Sequence, residues 1–377
     1  MSSMLNYAPV MRISTATLFL LTATVAGSSS FGANPPSTNA SHFIGIEDFS
    51  KFKQTIVSHE VVLTSPELKA PIAWDEMVPS WNATAPTGTF LKIEARGLYP
   101  DRATKFYTLG LWSEDTAKFP RESVKGQKDS DGNVSTDTLM LKETGAELQL
   151  RITLGNSEEK IKPKLNFIGL SFLNSKAKTT SLPPNKKAWG KIIETPERSQ
   201  NSYPEEEGWC SPTSLAMVLM RWSAALQRPD LNVDVRECAA GVFDKNYGTG
   251  NWPFNTAYAG KFPGLRGYVT RFTDIAELED WISAGIPVII SAPFHLLESG
   301  RKDTGSGHVI TCIGFTETGD VVINDPATNL NQGQKVRHIY KRENVINAWK
   351  KSNNTVYLIY PTSAKIPKNR LGHWEKK

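Results

Sequence analysis

A chain of 377 residues is too long for one ordinary domain, and an apolar fraction of 39% with 21% charged residues is that of a globular protein with material for two cores. The formal net charge is +5, but basic and acidic residues are interspersed and only Lys365 to Lys377 is locally basic, which argues against a nucleic-acid partner. With three cysteines the chain is not a disulfide scaffold.

Arg12 precedes an apolar run from Ala16 to Ala26, and small residues follow through Ala33. This is the pattern of a secretory signal peptide within residues 1–33, with cleavage expected after Ala26 or Ala33. The run is too short for a stable membrane span and no later segment approaches that length, so the mature chain is expected to be exported, secreted or periplasmic, without a transmembrane segment. In an oxidising compartment an odd cysteine count leaves at least one thiol unpaired. Cys238 and Cys312 either form a disulfide, leaving Cys210 over, or are two buried thiols.

From 42 to 174 the pattern is that of strands. Leu148, Leu150, Ile152 and Leu154 alternate with polar residues, as do Leu91, Ile93 and Ala95, and further runs lie at 60–63, 106–112, 134–141 and 165–173. Such period-two segments predict an all-β sandwich. Asp129 to Asn133 looks like the opening of a calcium loop, but the twelfth position is Met140, so a turn between strands explains it better. Trp74, Trp81 and Trp112 offer either a sugar-stacking platform or core packing, the commoner use of aromatics in such strands. Cell-wall peptide or carbohydrate is the candidate partner of this first region. The Ser-, Thr-, Lys- and Pro-rich stretch 175–188 marks a linker between two separately packed units.

The second region, 189–361, places helices before strands, the order of an α+β domain, and a basic tail follows at 362–377. Leu215, Val218, Leu219, Trp222 and Leu226 recur at helical spacing, with Pro212 where a first-turn proline belongs. Cys210 therefore stands at a helix N-terminus, where unpaired amides and the helix dipole stabilise a thiolate. The stretch 247–267, rich in Trp and Gly, suits loops. A second helix is predicted from Asp274, its N-cap, to Ala284, and strands at 286–292, 308–315, 320–324, 336–340 and 356–360, the second and third joined by a hairpin turn at 316–319.

A cysteine nucleophile needs a base and a group that orients the base. His308 opens one strand and Asp325 follows the next, so the hairpin brings them together. His338 lies among Lys335, Arg337 and Lys341, and His42, His59 and His373 fall outside the core pattern of this region. His295 is the rival base, following the strand that precedes it, but lacks a carboxylate at a matching strand end. No metal-binding spacing is present, and neither a metal nor another cofactor is expected.

Gly208-Trp209-Cys210-Ser211-Pro212-Thr213-Ser214-Leu215-Ala216-Met217, Gly307-His308-Val309-Ile310 and Asn324-Asp325-Pro326, in that order, resemble the stand-alone relatives of the bacteriocin-processing, double-glycine-leader cysteine peptidases of the papain-like superfamily. The resemblance covers 190–361. It implies a papain-like fold with Cys210 as nucleophile, His308 as base and Asp325 as its orienter. It also implies an oxyanion-hole glutamine before the cysteine, here Gln200, which stands ten residues upstream where the family has about six. The intervening Glu205-Glu206-Glu207 is then an insertion, and Ser211 replaces the usual glycine. The expected function is an exported cysteine peptidase forming an acyl-enzyme on a peptide or protein substrate. The alternatives are a cell-wall peptide amidase or acyltransferase with the same residues, and a surface binding protein that has lost turnover.

Overall fold

The computed structural model describes residues 39–157, 161–205, 208–298, 302, 305 and 307–376, so the signal-like segment lies outside the described residues. The first region contains ten strands: β1 (Ser41–Ile46), β2 (Lys53–Val57), β3 (Glu60–Thr64), β4 (Glu76–Thr84), β5 (Thr89–Leu98), β6 (Tyr107–Trp112), β7 (Gly132–Ser135), β8 (Thr138–Leu141), β9 (Glu147–Asn156) and β10 (Lys164–Leu173). They form two open five-stranded antiparallel sheets, in the orders β1-β10-β4-β8-β7 and β2-β3-β9-β5-β6.

The expected sandwich is thus corrected to two open sheets. The physical reason lies in β4 and β10, which are buried along most of their length instead of alternating, because the second region covers the face that a sandwich would leave wet. The run at 134–141, expected as one strand, is a hairpin turned at Thr136, whose φ is +57°, and Asp137. Asp129 closes the preceding turn, accepting from the backbone amides of Asp131 and Gly132 and pairing with Lys105 at 2.8 Å.

The second region contains α1 (Cys210–Leu226), α2 (Val235–Val242), α3 (Trp252–Gly260), β11 (Leu265–Arg271), α4 (Ile275–Ser283), β12 (Val288–Ser291), β13 (Val309–Phe315), β14 (Val321–Asn324), β15 (Arg337–Tyr340), α5 (Arg342–Trp349) and β16 (Thr355–Pro361). Its strands form a six-stranded antiparallel sheet in the order β11-β16-β12-β13-β14-β15. Asp274 caps α4 through the Ala276 amide, as expected. The stretch read as loops holds α3 and the start of β11. Asn251 caps α3 by accepting from the Phe254 amide, and Pro253 lies in its first turn, a start signal that outweighs the surrounding glycines. From Ser211 to Met220 every residue of α1 is buried, so the helix lies inside the domain instead of across its surface.

The two regions do not pack separately: residues 37–377 form one compact unit. One edge of β11 pairs with β16, and its other edge receives side chains from the first region. Asn82 donates to the Gly267 carbonyl at 2.6 Å and accepts from its amide at 3.2 Å. Ser80 accepts from the Val269 amide at 2.8 Å, and Ser41 donates to the Arg271 carbonyl at 3.1 Å. Residues 267, 269 and 271 point to the same side of the strand, so the first region satisfies an otherwise open edge. Gly260 has no side chain to collide with the Asn82 amide, which makes this approach possible.

Beside this seam Trp81 and Trp112 meet Phe254 of α3 edge-on, at centroid distances of 5.8 and 5.4 Å. Trp74, Trp81 and Trp112 are all buried, which removes the sugar-platform reading. The stretch expected as a basic tail is tied down to the rest of the chain. Trp374 is buried against Phe272 and Trp281, and the buried His373, set outside the core by its sequence context, contacts Glu277 at 2.8 Å. Burial of these two rings outweighs the charge of the lysines beside them. All three cysteines are free, so Cys238 and Cys312 are two buried thiols.

Candidate active site

Positive φ at Gly208 (+72°) leads into α1 with Trp209 as N-cap. An indole has no acceptor, so the cap side chain cannot satisfy the first-turn amides around Cys210. The helix start is held from two sides. Ser214 donates to the Val309 carbonyl at 3.1 Å, tying α1 to the first residue of β13, and Ser211 exchanges a 3.0 Å hydrogen bond with the Tyr357 hydroxyl. These bonds fix the half-buried Cys210 beside the residue that precedes β13, His308.

His308 is buried, its carbonyl accepts from the Ala292 amide at 2.8 Å, and its ring meets Phe294 edge-on at 5.3 Å. Its Nε2 donates to Asp325 Oδ1 at 2.8 Å, and its side chain also hydrogen-bonds Cys210, for which Nδ1 remains. Burial by itself favours the neutral ring. The charge and hydrogen bond of Asp325, with the contribution of Cys210, outweigh it and raise the imidazole from 6.5 to about 10.

The buried Asp325 directly follows β14. Its Oδ1 also accepts from the Ala327 amide at 2.9 Å, and its Oδ2 accepts from the Tyr340 hydroxyl at 2.8 Å. Burial opposes the charged carboxylate, but His308, Tyr340 and Ala327 overcome that opposition and hold its pKa below the ordinary value. The same environment pushes the Tyr340 phenol up, through burial and the neighbouring anion, and keeps it a donor. No sequence pattern singles out Tyr340, although the expected strand at 336–340 contains it.

Gln200 opens a short 3₁₀ turn, Gln200–Ser202. Its backbone N–H donates to the Pro326 carbonyl at 2.9 Å, while Ser199 Oγ bonds the Thr328 carbonyl and Asn201 Nδ2 the Ala327 carbonyl. The segment 199–201 is therefore fastened to the residues that follow Asp325. Upstream, the Ile193 and Phe315 amides donate to the Ile313 and Lys191 carbonyls across a bulge in β13, where Gly314 leaves room for the Lys191 carbonyl. His295 lies on the short turn Phe294–Leu297 with its ring against Phe294, and Asp325 is bonded to His308 instead.

The first region also reaches this end of the molecule. Asp137, at the tip of the β7–β8 hairpin, accepts from the Trp252 amide at the start of α3 at 3.1 Å and from Thr138 Oγ1 at 3.0 Å. Burial raises its carboxyl to about 6 against these bonds and the charge of Arg271. Its charge adds to burial in pushing the Tyr247 and Tyr357 phenols up. Among the described residues no helix is long and apolar enough to cross a membrane, and no group of three or more His, Cys, Asp and Glu side chains could hold a metal ion.

Residues 192–357 match the Peptidase_C39 like family, and residues 50–172 match the Peptidase C39 N-terminal domain. No curated protein matches the chain. A solved structure from Bacillus anthracis, described as a C39-like peptidase, is 20% identical over 46% of this chain and 99% of its own, with a TM-score of 0.35. The two family matches flank the segment between the regions, and they make this chain a relative of the C39 peptidases: a cysteine peptidase acting on peptide or protein, with a β-rich region ahead of its peptidase domain.

Proposed function

We propose that the chain is an exported peptidase that cleaves peptide bonds through Cys210, His308 and Asp325 by way of an acyl-enzyme. The observation that supports this reading most is the buried His308 imidazole, bonded on one side to Asp325 and on the other to a thiol at a helix start. A ring raised to about 10 is a competent acceptor for the Cys210 proton and keeps that proton at neutral pH, next to the sulfur.

In this scheme the Cys210 sulfur attacks the scissile carbonyl carbon and the C=O π pair moves onto oxygen. That oxyanion is stabilised by the first-turn amides of α1, with Gln200 as the side-chain donor. His308 returns the proton to the amine as the C–N bond breaks, leaving a thioester on Cys210. A water then gives a proton to His308 and its oxygen to the acyl carbon, and the sulfur leaves as the anion beside the again cationic ring, which restores the starting pair. Asp325 stays charged throughout, orienting the ring and supporting its cationic form. Export rests on the apolar segment behind Arg12.

Mass-spectrometric mapping of thiol alkylation in the purified chain, with a peptide-hydrolysis assay on Cys210→Ala, tests the scheme. The expected result is one fast-labelling site, Cys210, and no hydrolysis by the variant. Hydrolysis that survives Cys210→Ala refutes it.

A further inference from the structure

A cavity of about 630 Å³ adjoins the nucleophile's helix start, walled by Trp209, Ala239, Phe243, Tyr247 and Thr249. Trp209 is the residue before Cys210, and Thr249 Oγ1 bonds the Gly208 carbonyl at 3.0 Å. The cavity thus lies directly beside the helix start that carries Cys210. Two of its walls are large apolar rings left in solvent, Phe243 at 51% and Tyr247 at 56% exposure.

These rings flank a turn that is held unusually firmly. Asp244 between them is fully buried, and its carboxylate accepts from the amides of Ser123 and Asn246 and from Asn251 Nδ2, at 3.1, 2.8 and 2.9 Å. The first region supplies further struts. The Arg121 guanidinium donates to the Ala240 carbonyl near the end of α2 at 2.8 Å, its backbone carbonyl accepts from the Lys245 amide at 3.0 Å, and Asn246 Nδ2 donates to the Ser123 carbonyl at 2.8 Å. Exposed aromatic rings on a rigidly braced turn beside a nucleophile are what a preorganised recognition pocket requires. At its mouth Arg236 is already paired with Glu205 and lies over the Tyr203 ring, so the rim carries no uncompensated charge.

We infer that this cavity is the specificity pocket of the peptidase, that it takes a bulky apolar side chain, aromatic or branched, next to the scissile bond, and that the first region braces it through Arg121 and Ser123. The inference rests on the Cys210 reading above and goes beyond it by naming the side-chain class and the role of the first region. Discrimination by an apolar pocket amounts to about tenfold or more between a large side chain and none.

The test uses the full chain and N-acetyl dipeptidyl chloromethyl ketones with Phe, Leu, Asp or Gly preceding the reactive group, with iodoacetamide as a probe that needs no pocket. The expected result is labelling of Cys210 at least about tenfold faster with Phe or Leu than with Gly. That ratio falls toward one in Phe243→Ala and Tyr247→Ala, and recovers in Phe243→Leu and Tyr247→Phe. A preference for Asp assigns the cavity to Arg236 and overturns the inference. So does an apolar preference that both alanine variants retain. Rapid iodoacetamide labelling of Cys210 without any side-chain preference removes the pocket and leaves the peptidase reading standing, whereas slow iodoacetamide labelling removes both.

Discussion

His308 and Asp325 stand 17 residues apart in the chain and 2.8 Å apart in space, and the β13–β14 hairpin is the reason. One residue precedes the first strand and the other follows the second, so antiparallel pairing closes the gap without any long loop. The pair is finished from outside the hairpin: Tyr340 of β15 occupies the second carboxylate oxygen, and Cys210 of α1 the other face of the imidazole.

The first prediction concerns the imidazole. Because Asp325 raises His308 to about 10, the cationic ring persists across neutral pH and favours a thiolate beside it. Cys210 is therefore expected to alkylate rapidly below pH 7, while burial pushes Cys238 and Cys312 up and keeps them slow until unfolding. His308→Ala moves the Cys210 labelling profile to higher pH, and His295→Ala leaves it in place. The linkage has a definite sign. A folded pKa raised above about 6.5 gives stability that is complete below that value and is lost as pH rises through about 10, and His308→Ala removes this slope from the unfolding curve.

The second prediction concerns Tyr340, which bonds Asp325 and in the proposed scheme acts only by positioning it. Tyr340→Phe deletes a hydrogen bond to a buried charge and is expected to lower kcat by roughly tenfold with little change in KM. The carboxyl of Asp325 is held low, so its contribution to stability is present above the ordinary carboxylate pKa and lost as pH falls. Removing a donor to the anion raises that folded value. The acid limb of the kcat profile then moves upward in pH, an effect that a loss of packing alone does not produce.

The outline of this site was legible because helical spacing after Cys210 and the hairpin between His308 and Asp325 are local patterns, set by which residues face a core. Tyr340 was not legible in the same way. Its strand was expected, but the direction of its ring follows from packing across the sheet, which no spacing encodes. The alternation along β5 and β9 is what predicts a sandwich for the first region. The segment that became β4 is interrupted by Pro79, which is tolerated because β8 pairs only with Glu76 and Met77 and leaves that edge free. Ser80 and Asn82 beyond it bond β11, more than 180 residues away, and contacts at that separation leave no periodic trace. The same holds for His373 and Trp374, whose burial their lysine-rich context conceals.

A third prediction follows from the Asp137 contact between the regions. Burial raises its folded pKa from 3.8 to about 6, so its contribution to stability is complete below about 3.8 and is lost as pH rises through about 6. Asp137→Asn keeps an acceptor for the Trp252 amide without the charge. Chemical denaturation at a series of pH values is expected to show the variant gaining on the parent between pH 4 and 7. An identical pH dependence in the two proteins contradicts the buried-carboxyl account.

The final prediction concerns the seam itself. The segment 175–188 has a linker's composition, yet cutting it is not expected to release two stable halves, because Asn82, Ser80 and Ser41 satisfy the edge of β11 and Trp81 fills a space against Phe254. Each half alone presents these groups to water, and the peptidase domain alone presents the open edge of β11 as a template for association. After a single nick in 175–188 the fragments are expected to co-elute in size exclusion and to unfold together in one transition. Trp81→Ala empties a fully buried site and costs about 3–5 kcal/mol, and Asn82→Ala strands the Gly267 amide and carbonyl at about 1–3 kcal/mol. Both variants weaken the seam, so the nicked Trp81→Ala chain is expected to separate under mild denaturant where the nicked parent does not. Separation of the nicked parent into two folded, monomeric fragments in buffer contradicts the shared core.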